Sequence, residues 1–400
     1  MGAIHGNRRL IVMMMALIVL TPMGVDIFLP SLPMLAQDFA LDTAGSKWSI
    51  TLYLISMGIG QLVAGPLVDG LGRRLMAIMG ALVYGLAAAL CLLADQITLF
   101  YIGRLLQGLG ASLATVVAFS CARDRFEGER RAGIYSFLNA AVCVVPALAP
   151  LLGSLLTAFW HWRASFVFMV VFALGVALFC FWGLEETRPA AVQKRRISHY
   201  GRDVFAILRD GQFVFHVLIA MTGMTVILVY VTTAPTLLMD RAGLSELAFG
   251  GWFGAVAATN VVAYFLAPRL IAHLGQYRAI HAGLAVMIMG GCLHALFYGL
   301  SGPGVATFML CNAIMVTGFS LTLGAALSLA LEPYADRAGL ASSLAGCCQM
   351  GGGRVAGITY DTAAFGASMD TGVDRHRGGR WPFINGGGCL SSEADAGITG

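Results

Sequence analysis

Charge is the scarce ingredient of this chain. Asp, Glu, Lys and Arg make up 12% of its 400 residues, about half the share found in a soluble domain. A surface so poor in charge is not solvated by water, whereas a bilayer accepts it. Nucleic-acid recognition is excluded on similar grounds: there is no basic run interleaved with aromatics and no binding motif. Paired C-x-x-C cysteines are missing too. Most of the nine cysteines, such as Cys91, Cys143, Cys180, Cys292 and Cys311, sit inside apolar stretches. They read as small packing residues, not as disulfides or metal ligands. The absence of H-E-x-x-H, of a P-loop and of paired membrane aspartates argues against a membrane-embedded enzyme and against a resident metal or cofactor.

What the chain has in abundance is apolar length, with 58% hydrophobic residues. A spanning helix needs about 20 mainly apolar residues. Such runs fall near 10–29, 48–68, 75–93, 97–120, 133–158, 163–184, 212–235, 248–270, 278–298 and 303–329. An eleventh begins near Ala338 and loses its pattern after Met350. The first is too long for a cleavable signal peptide, and it carries an Asp. The expectation is an all-α polytopic membrane protein surrounded by lipid.

Orientation follows from the loop cations. Arg8, Arg9, Arg73, Arg74, Arg123, Arg125, Arg130, Arg131, Arg269, Arg278 and Arg337 share one side with the basic 185–211 loop, while the opposite loops hold Lys47, Arg163 and Arg241. The positive side faces the cytoplasm, so the N-terminus is expected inside a bacterial inner membrane.

The 185–211 segment divides the chain into 1–184, expected to be a six-helix bundle, and 212–350, an incomplete second bundle. The halves echo each other in the same direction. Pro30-Ser31-Leu32 matches Pro235-Thr236-Leu237, and Leu71-Gly72 matches Leu274-Gly275. Two parallel six-helix repeats are the architecture of the major facilitator fold. The last stretch does not fit. Residues 351–400 hold 13 glycines and no apolar run of spanning length. They read either as a Gly-rich tail outside the membrane or as a shift of reading frame near codon 350. The second reading is preferred, because the break is abrupt and falls inside an apolar segment. It would truncate helix 11 and remove helix 12.

Between residues 10 and 350 only Asp26 and Arg104 are charged residues lying well inside the spans. Each costs about 2.5–3.5 kcal/mol at a helix centre, so a role is the default reading. Asp26 is otherwise an end-of-helix carboxylate at the headgroups, and Arg104 an ion-pair partner or a clamp on backbone carbonyls. A carboxylate in apolar surroundings can carry a proton, and a nearby arginine opposes that. A pair whose separation changes with conformation could therefore load and release a proton. The 65–74 turn reads Gly65-Pro66-Leu67-Val68-Asp69-Gly70-Leu71-Gly72-Arg73-Arg74. Here Gly65 allows close helix approach and Gly72 a tight turn. Asp69 suits the positive end of another helix, and Arg73 and Arg74 can pair with Asp124. On its own this is equally a positive-inside anchor. Pro146 and Pro150 share one helix face and favour a bend. Gly153 lets a neighbour pack closely.

Taken together these motifs resemble the major facilitator superfamily over residues 8 to about 350. Within it the chain resembles the twelve-helix drug/proton antiporters, specifically the bicyclomycin and chloramphenicol resistance family and its multidrug efflux members. The stretches that carry the likeness are 24–30 (GVDIFLP), 65–74, 104–111 (RLLQGLGA), 146–153 (PALAPLLG), 186–189 (ETRP) and 337–343 (RAGLASS). The resemblance implies export of small drug-like compounds by a monomer, with protons as the coupling ion and no cofactor. It implies proton and drug handling at Asp26 and proton coupling at Arg104. It also implies a cytoplasmic gate at Asp69, Arg73 and Arg74, and an antiporter motif at Pro146, Pro150 and Gly153. The chain departs from the pattern at Gly70, where a basic residue is usual, and at Ala149 and Ser154, which replace glycines. Tyr53, Gln107, Thr225, Tyr230, Asn260 and Asn312 are candidate polar liners of a substrate path, or else bond helix to helix. Export of a natural metabolite such as a nucleoside or sugar, or an inactive truncated transporter, are the alternatives.

Overall fold

The computed structural model describes residues 2–126, 128–188, 197–301 and 304–349. The described residues are overwhelmingly helical, without a strand. In chain order the helices are α1 (Gly2–Asp26), α2 (Leu32–Asp38), α3 (Thr43–Leu71), α4 (Arg73–Leu92), α5 (Ile97–Arg125), α6 (Gly128–Trp160) and α7 (Arg163–Gly183). There follow α8 (Ile197–Leu208), α9 (Gly211–Pro235), α10 (Glu246–Leu274), α11 (Gln276–Ser301), α12 (Val305–Leu331) and α13 (Ala338–Cys347). Among the described residues nine helices are long and apolar enough to cross a membrane, and the apolar part of α6, Val144–Trp160, is shorter. Each apolar run named above lies mainly on one helix, the first running on past the end of α1 to the turn at Leu29. The preferred reading of 351–400 as out of frame falls outside the described residues. The linker contains a helix that the sequence did not lead us to expect, α8. Its Ile207 packs in one cluster with Phe213 of α9 and with Leu340 and Leu344 of α13.

The two halves repeat in detail. α3 and α10 are both 29 residues long. Each begins on a side-chain cap: Asp42 accepts from the Gly45 N–H and Ser245 from the Ala248 N–H. Each contains one proline, Pro66 or Pro268, and ends on a glycine at positive φ, 100° for Gly72 and 80° for Gly275. That conformation is open to glycine and strained for other residues. α1 and α9 correspond likewise, each running into a differently wound turn, 3-10 at Leu29–Ser31 and π at Thr236–Arg241.

Within the first half α5 packs on α1, α3 and α4, and α7 packs on α4. Within the second, α12 packs on α9, α10 and α11. The halves meet along α6 with α10 and along α3 with α13. At the far end of the first half Asp38 accepts from Trp162 Nε1 at 2.7 Å and from Arg163 Nη1 at 3.4 Å, pinning α2 to the α6–α7 turn.

Candidate functional site

Arg104 is fully buried in α5, with 0% of its surface exposed. All three guanidinium nitrogens are engaged. Nε donates to the Ser49 carbonyl at 2.9 Å, Nη2 to the Gly24 carbonyl at 2.8 Å, and Nη1 to Gln107 Oε1 at 2.5 Å. The Tyr53 ring lies 4.6 Å from the guanidinium carbon and the Phe28 ring 5.5 Å, a cation–π bracket. Tyr53 also donates to the Thr21 carbonyl at 2.7 Å. A Cβ at Gly24 would overlap the Tyr53 ring, so glycine is what admits the ring against α1. Arg104 thereby fastens the end of α1 to α3 and α5.

Asp26, the last residue of α1, is 6% exposed. Among the described residues no hydrogen-bond donor or cation contacts its carboxylate. The Asp26–Arg104 ion pair considered from sequence does not form, because carbonyls and Gln107 take up the guanidinium; the carbonyl-clamp reading of Arg104 holds. A carboxylate of this kind can gain and lose one proton without breaking a bond to a neighbour. Arg104, charged at all accessible pH values, cannot.

Around the end of α1 the packing is close. A Cβ at Gly153 of α6 would overlap the Ile27 carbonyl, so Gly153 does admit a neighbour. Pro150 is buried one turn before Ser154, and Pro146 is half-buried. Ser154 Oγ is buried without a hydrogen-bond partner and faces Gly250 of α10.

The turn between α3 and α4 is a second charged centre. Arg73, with 0% of its side chain exposed, donates to Asp124 Oδ2 at 2.7 Å, to Asp69 Oδ1 at 2.8 Å and to the Val68 carbonyl at 3.1 Å. Asp124 is 4% exposed and Asp69 48%. Arg123 reaches Asp69 at 3.5 Å. Arg74 does not join Asp124; its Nη2 donates to the Phe181 carbonyl at 2.8 Å. Arg73 already occupies that carboxylate from the buried side. The close approach expected at Gly65 is absent: a Cβ there meets nothing within 4 Å.

The N-terminus of α4 is capped by a residue that sequence reasoning did not single out. Glu186, just beyond α7, accepts from the Arg73 N–H at 3.0 Å and the Arg74 N–H at 3.3 Å, the first turn of α4. Burial favours the protonated form, but these bonds and one from the Arg188 N–H outweigh it and hold the carboxyl below the usual carboxylate range. Arg188 in turn donates to the Gly70 carbonyl at 2.7 Å and the Asp69 carbonyl at 3.3 Å. The match at 186–189 was the available signal, although nothing in it said which helix the carboxylate would cap.

The six candidate liners scatter. Tyr53 and Gln107 are consumed by the Arg104 cluster, and Gln107 Nε2 approaches Met169 Sδ at 3.2 Å. Thr225 bonds back to the Met221 carbonyl at 2.9 Å and Asn312 to the Phe308 carbonyl at 2.8 Å. Asn260 accepts from Ser320 Oγ at 2.5 Å, joining α10 to α12. Tyr230 differs: its hydroxyl is buried with no partner.

A helical repeat of this design, with a charged turn between the second and third spans, defines a class. The family model for the Major Facilitator Superfamily matches residues 14–357, and the chain belongs to that superfamily. It is a multi-pass membrane protein. It is 33% identical over 344 residues to Multidrug resistance protein MdtL of Shigella dysenteriae serotype 1 (strain Sd197), covering 86% of each chain. The MdtL protein of Escherichia coli (strain K12) matches with the same identity and coverage. Among solved structures, a bacterial homolog of the human lysosomal transporter Spinster, inward-facing and unoccupied, gives a TM-score of 0.73 at 16% identity, covering 92% of this chain and 85% of that one. A D-xylose-proton symporter gives 0.69 at 18%, covering 85% and 87%. These two share the fold.

Proposed function

We propose that this chain is a proton-coupled antiporter that exports small, largely apolar drug-like compounds across the bacterial inner membrane. Its kinship with multidrug resistance proteins supports the substrate class. The loop cations support an N-terminus in the cytoplasm, which puts the α3–α4 turn inside and the end of α1 toward the outside. Residues 1–184 and 212–350 act as two bundles that rock about a central site, in a monomer solvated by lipid. No cofactor takes part, and protons are the coupling ion. Substrate binds from the inside or the inner leaflet while Asp26 is ionised. After the outward switch a proton taken up on Asp26 weakens binding and releases it. Asp69, Arg73, Arg74 and Asp124 form the inner gate.

The observation that carries the reading is the buried, unpaired Asp26 carboxylate at the end of α1, in the same helix whose Gly24 carbonyl accepts from the buried Arg104. The test is Asp26→Asn in proteoliposomes, following proton movement when tetraphenylphosphonium, an apolar cation, is added. The variant inserts and folds but moves no protons in response. Wild-type proton coupling in Asp26→Asn would overturn the reading.

A further inference from the structure

The helix of the linker, α8, separates its charges by sign. Its protein-facing side holds Val204 and the fully buried Ile207, packed with Phe213 of α9 and with Leu340 and Leu344 of α13. The acids keep to that side. Asp203 is half-buried. Asp210, just past the helix, accepts from the Tyr334 hydroxyl at 2.5 Å and caps α9 through the Gln212 N–H at 2.9 Å. The opposite side is exposed. Arg202, Leu208 and Arg209 lie three or four residues from Phe205, which sets the four on one stripe. Phe205 is 55% exposed and Leu208 42%, and both arginines are exposed as well. The Arg209 guanidinium carbon lies 4.2 Å from the Phe205 ring centre, a contact that holds the two side chains together at the surface.

We propose that this stripe is a docking surface for anionic phospholipid: Phe205 and Leu208 enter the apolar edge of the bilayer surface, and Arg202 and Arg209 bind the phosphate groups. Three observations favour a lipid over a protein partner. The first is position. α9 begins at Gly211, two residues after Arg209, and is long and apolar enough to span from there, so α8 ends at the bilayer surface. The second is charge. The stripe has two cations and no acid, and Lys194, Arg195 and Arg196 directly precede the helix in the sequence. Basic residues beside a span are drawn to anionic headgroups. The third is the mixture of groups on one face. Apolar side chains flanked by arginines match a headgroup region, where hydrocarbon lies just beneath phosphate.

The docking has a consequence for the bundle. α8 packs on α9 and α13, and α13 packs on α3 of the first half. Bound lipid therefore braces the second half where it meets the first. This holds whichever compound is moved and whichever residue carries the proton.

The test uses the full chain in vesicles of equal parts phosphatidylglycerol and phosphatidylcholine. Phe205 is replaced by the photoreactive p-benzoylphenylalanine, which keeps an exposed aromatic ring, and mass spectrometry identifies what is attached after illumination. The expected adducts are to lipid, with phosphatidylglycerol preferred. Each arginine near an anionic surface accounts for up to about fivefold of that preference. Arg202→Gln combined with Arg209→Gln therefore brings the two lipids toward parity, and high salt does the same to the parent protein. If the double variant fails to insert, the salt series alone decides. Absence of lipid adducts, or adducts to the chain itself, residues 351–400 included, overturns the proposal. So does equal labelling of the two lipids, or a preference that survives both substitutions and salt. Each of these results leaves the transport reading and the role of Asp26 as they stand.

Discussion

The two halves use one backbone plan, and among the described residues only the first buries an ion pair at its helix turn. Gly72 and Gly275 take the same positive-φ conformation after helices of the same length. In the first half the next residue is Arg73, buried and bound to Asp124 of α5. In the second it is Gln276, whose Nε2 bonds Ser328 Oγ of α12 at 3.1 Å. The positions correspond, and a buried ion pair has become a neutral hydrogen bond. The same holds in the membrane. Arg104 clamps α5 to α1 and α3, whereas α12 meets α10 through the neutral Ser320–Asn260 pair. Helix ends, caps and apolar length suffice to build a bundle. Among the described residues the buried charged side chains, Asp26, Arg73 and Arg104, all belong to the first half.

The sharpest way to break the comparison is to neutralise its buried pair. Asp124→Asn leaves the Arg73 guanidinium buried with a poor partner, since Asp69 is half exposed. Breaking a buried pair from one side costs about 3–5 kcal/mol. The counterpart, Ser328→Ala, removes one neutral bond to an exposed amide, a loss of about 1 kcal/mol or less. Thermal unfolding in nanodiscs separates the two. Equal loss in both variants would mean that the ion pair contributes nothing beyond its neutral equivalent.

Glu186 offers a smaller effect with a direction in pH. Its carboxyl is held below the usual range in the folded protein. The stability it confers is therefore complete above the ordinary carboxylate range and is lost as pH falls through the lower folded value. Glu186→Gln weakens the cap on α4 by about 1 kcal/mol near neutrality and removes that acid-dependent part of the unfolding profile. Identical acid profiles for variant and wild type would show that the carboxylate's charge is irrelevant to the turn.

Much of this plan is legible in the sequence because an apolar background makes exceptions conspicuous. Asp26 and Arg104 stand out where charge is costly, and Gly72 and Gly275 where a helix must turn. Less legible is what those exceptions touch. Arg104 binds carbonyls, which every residue carries, so no side chain announces the clamp. Glu186 caps a helix whose first residue lies 113 positions earlier. The Tyr230–Phe253–Phe308 stack uses residue types common in any span. α8 lies in a polar stretch with no membrane period to reveal it, and it is fixed by packing on α9 and α13.

The smallest expected effect concerns two glycines that look equivalent as sequence and are not. Both Gly65 and Gly153 lie inside long helices, α3 and α6, and both are expected from sequence to admit a neighbour. At Gly153 an added Cβ would overlap the Ile27 carbonyl, whereas at Gly65 it meets nothing within 4 Å. Backbone cannot yield as a flexible side chain does, so Gly153→Ala forces α1 and α6 apart and costs about 1–3 kcal/mol. Gly65→Ala fills open space and restricts the unfolded chain, which stabilises a helix interior by up to about 1 kcal/mol. Unfolding temperatures of the two variants should move in opposite directions. Under the proposed alternating cycle Gly65 has a second readout. If another state closes α3 onto a neighbour at this point, Gly65→Ala raises the unfolding temperature and yet slows transport. A variant both more stable and fully active would remove Gly65 from the gate.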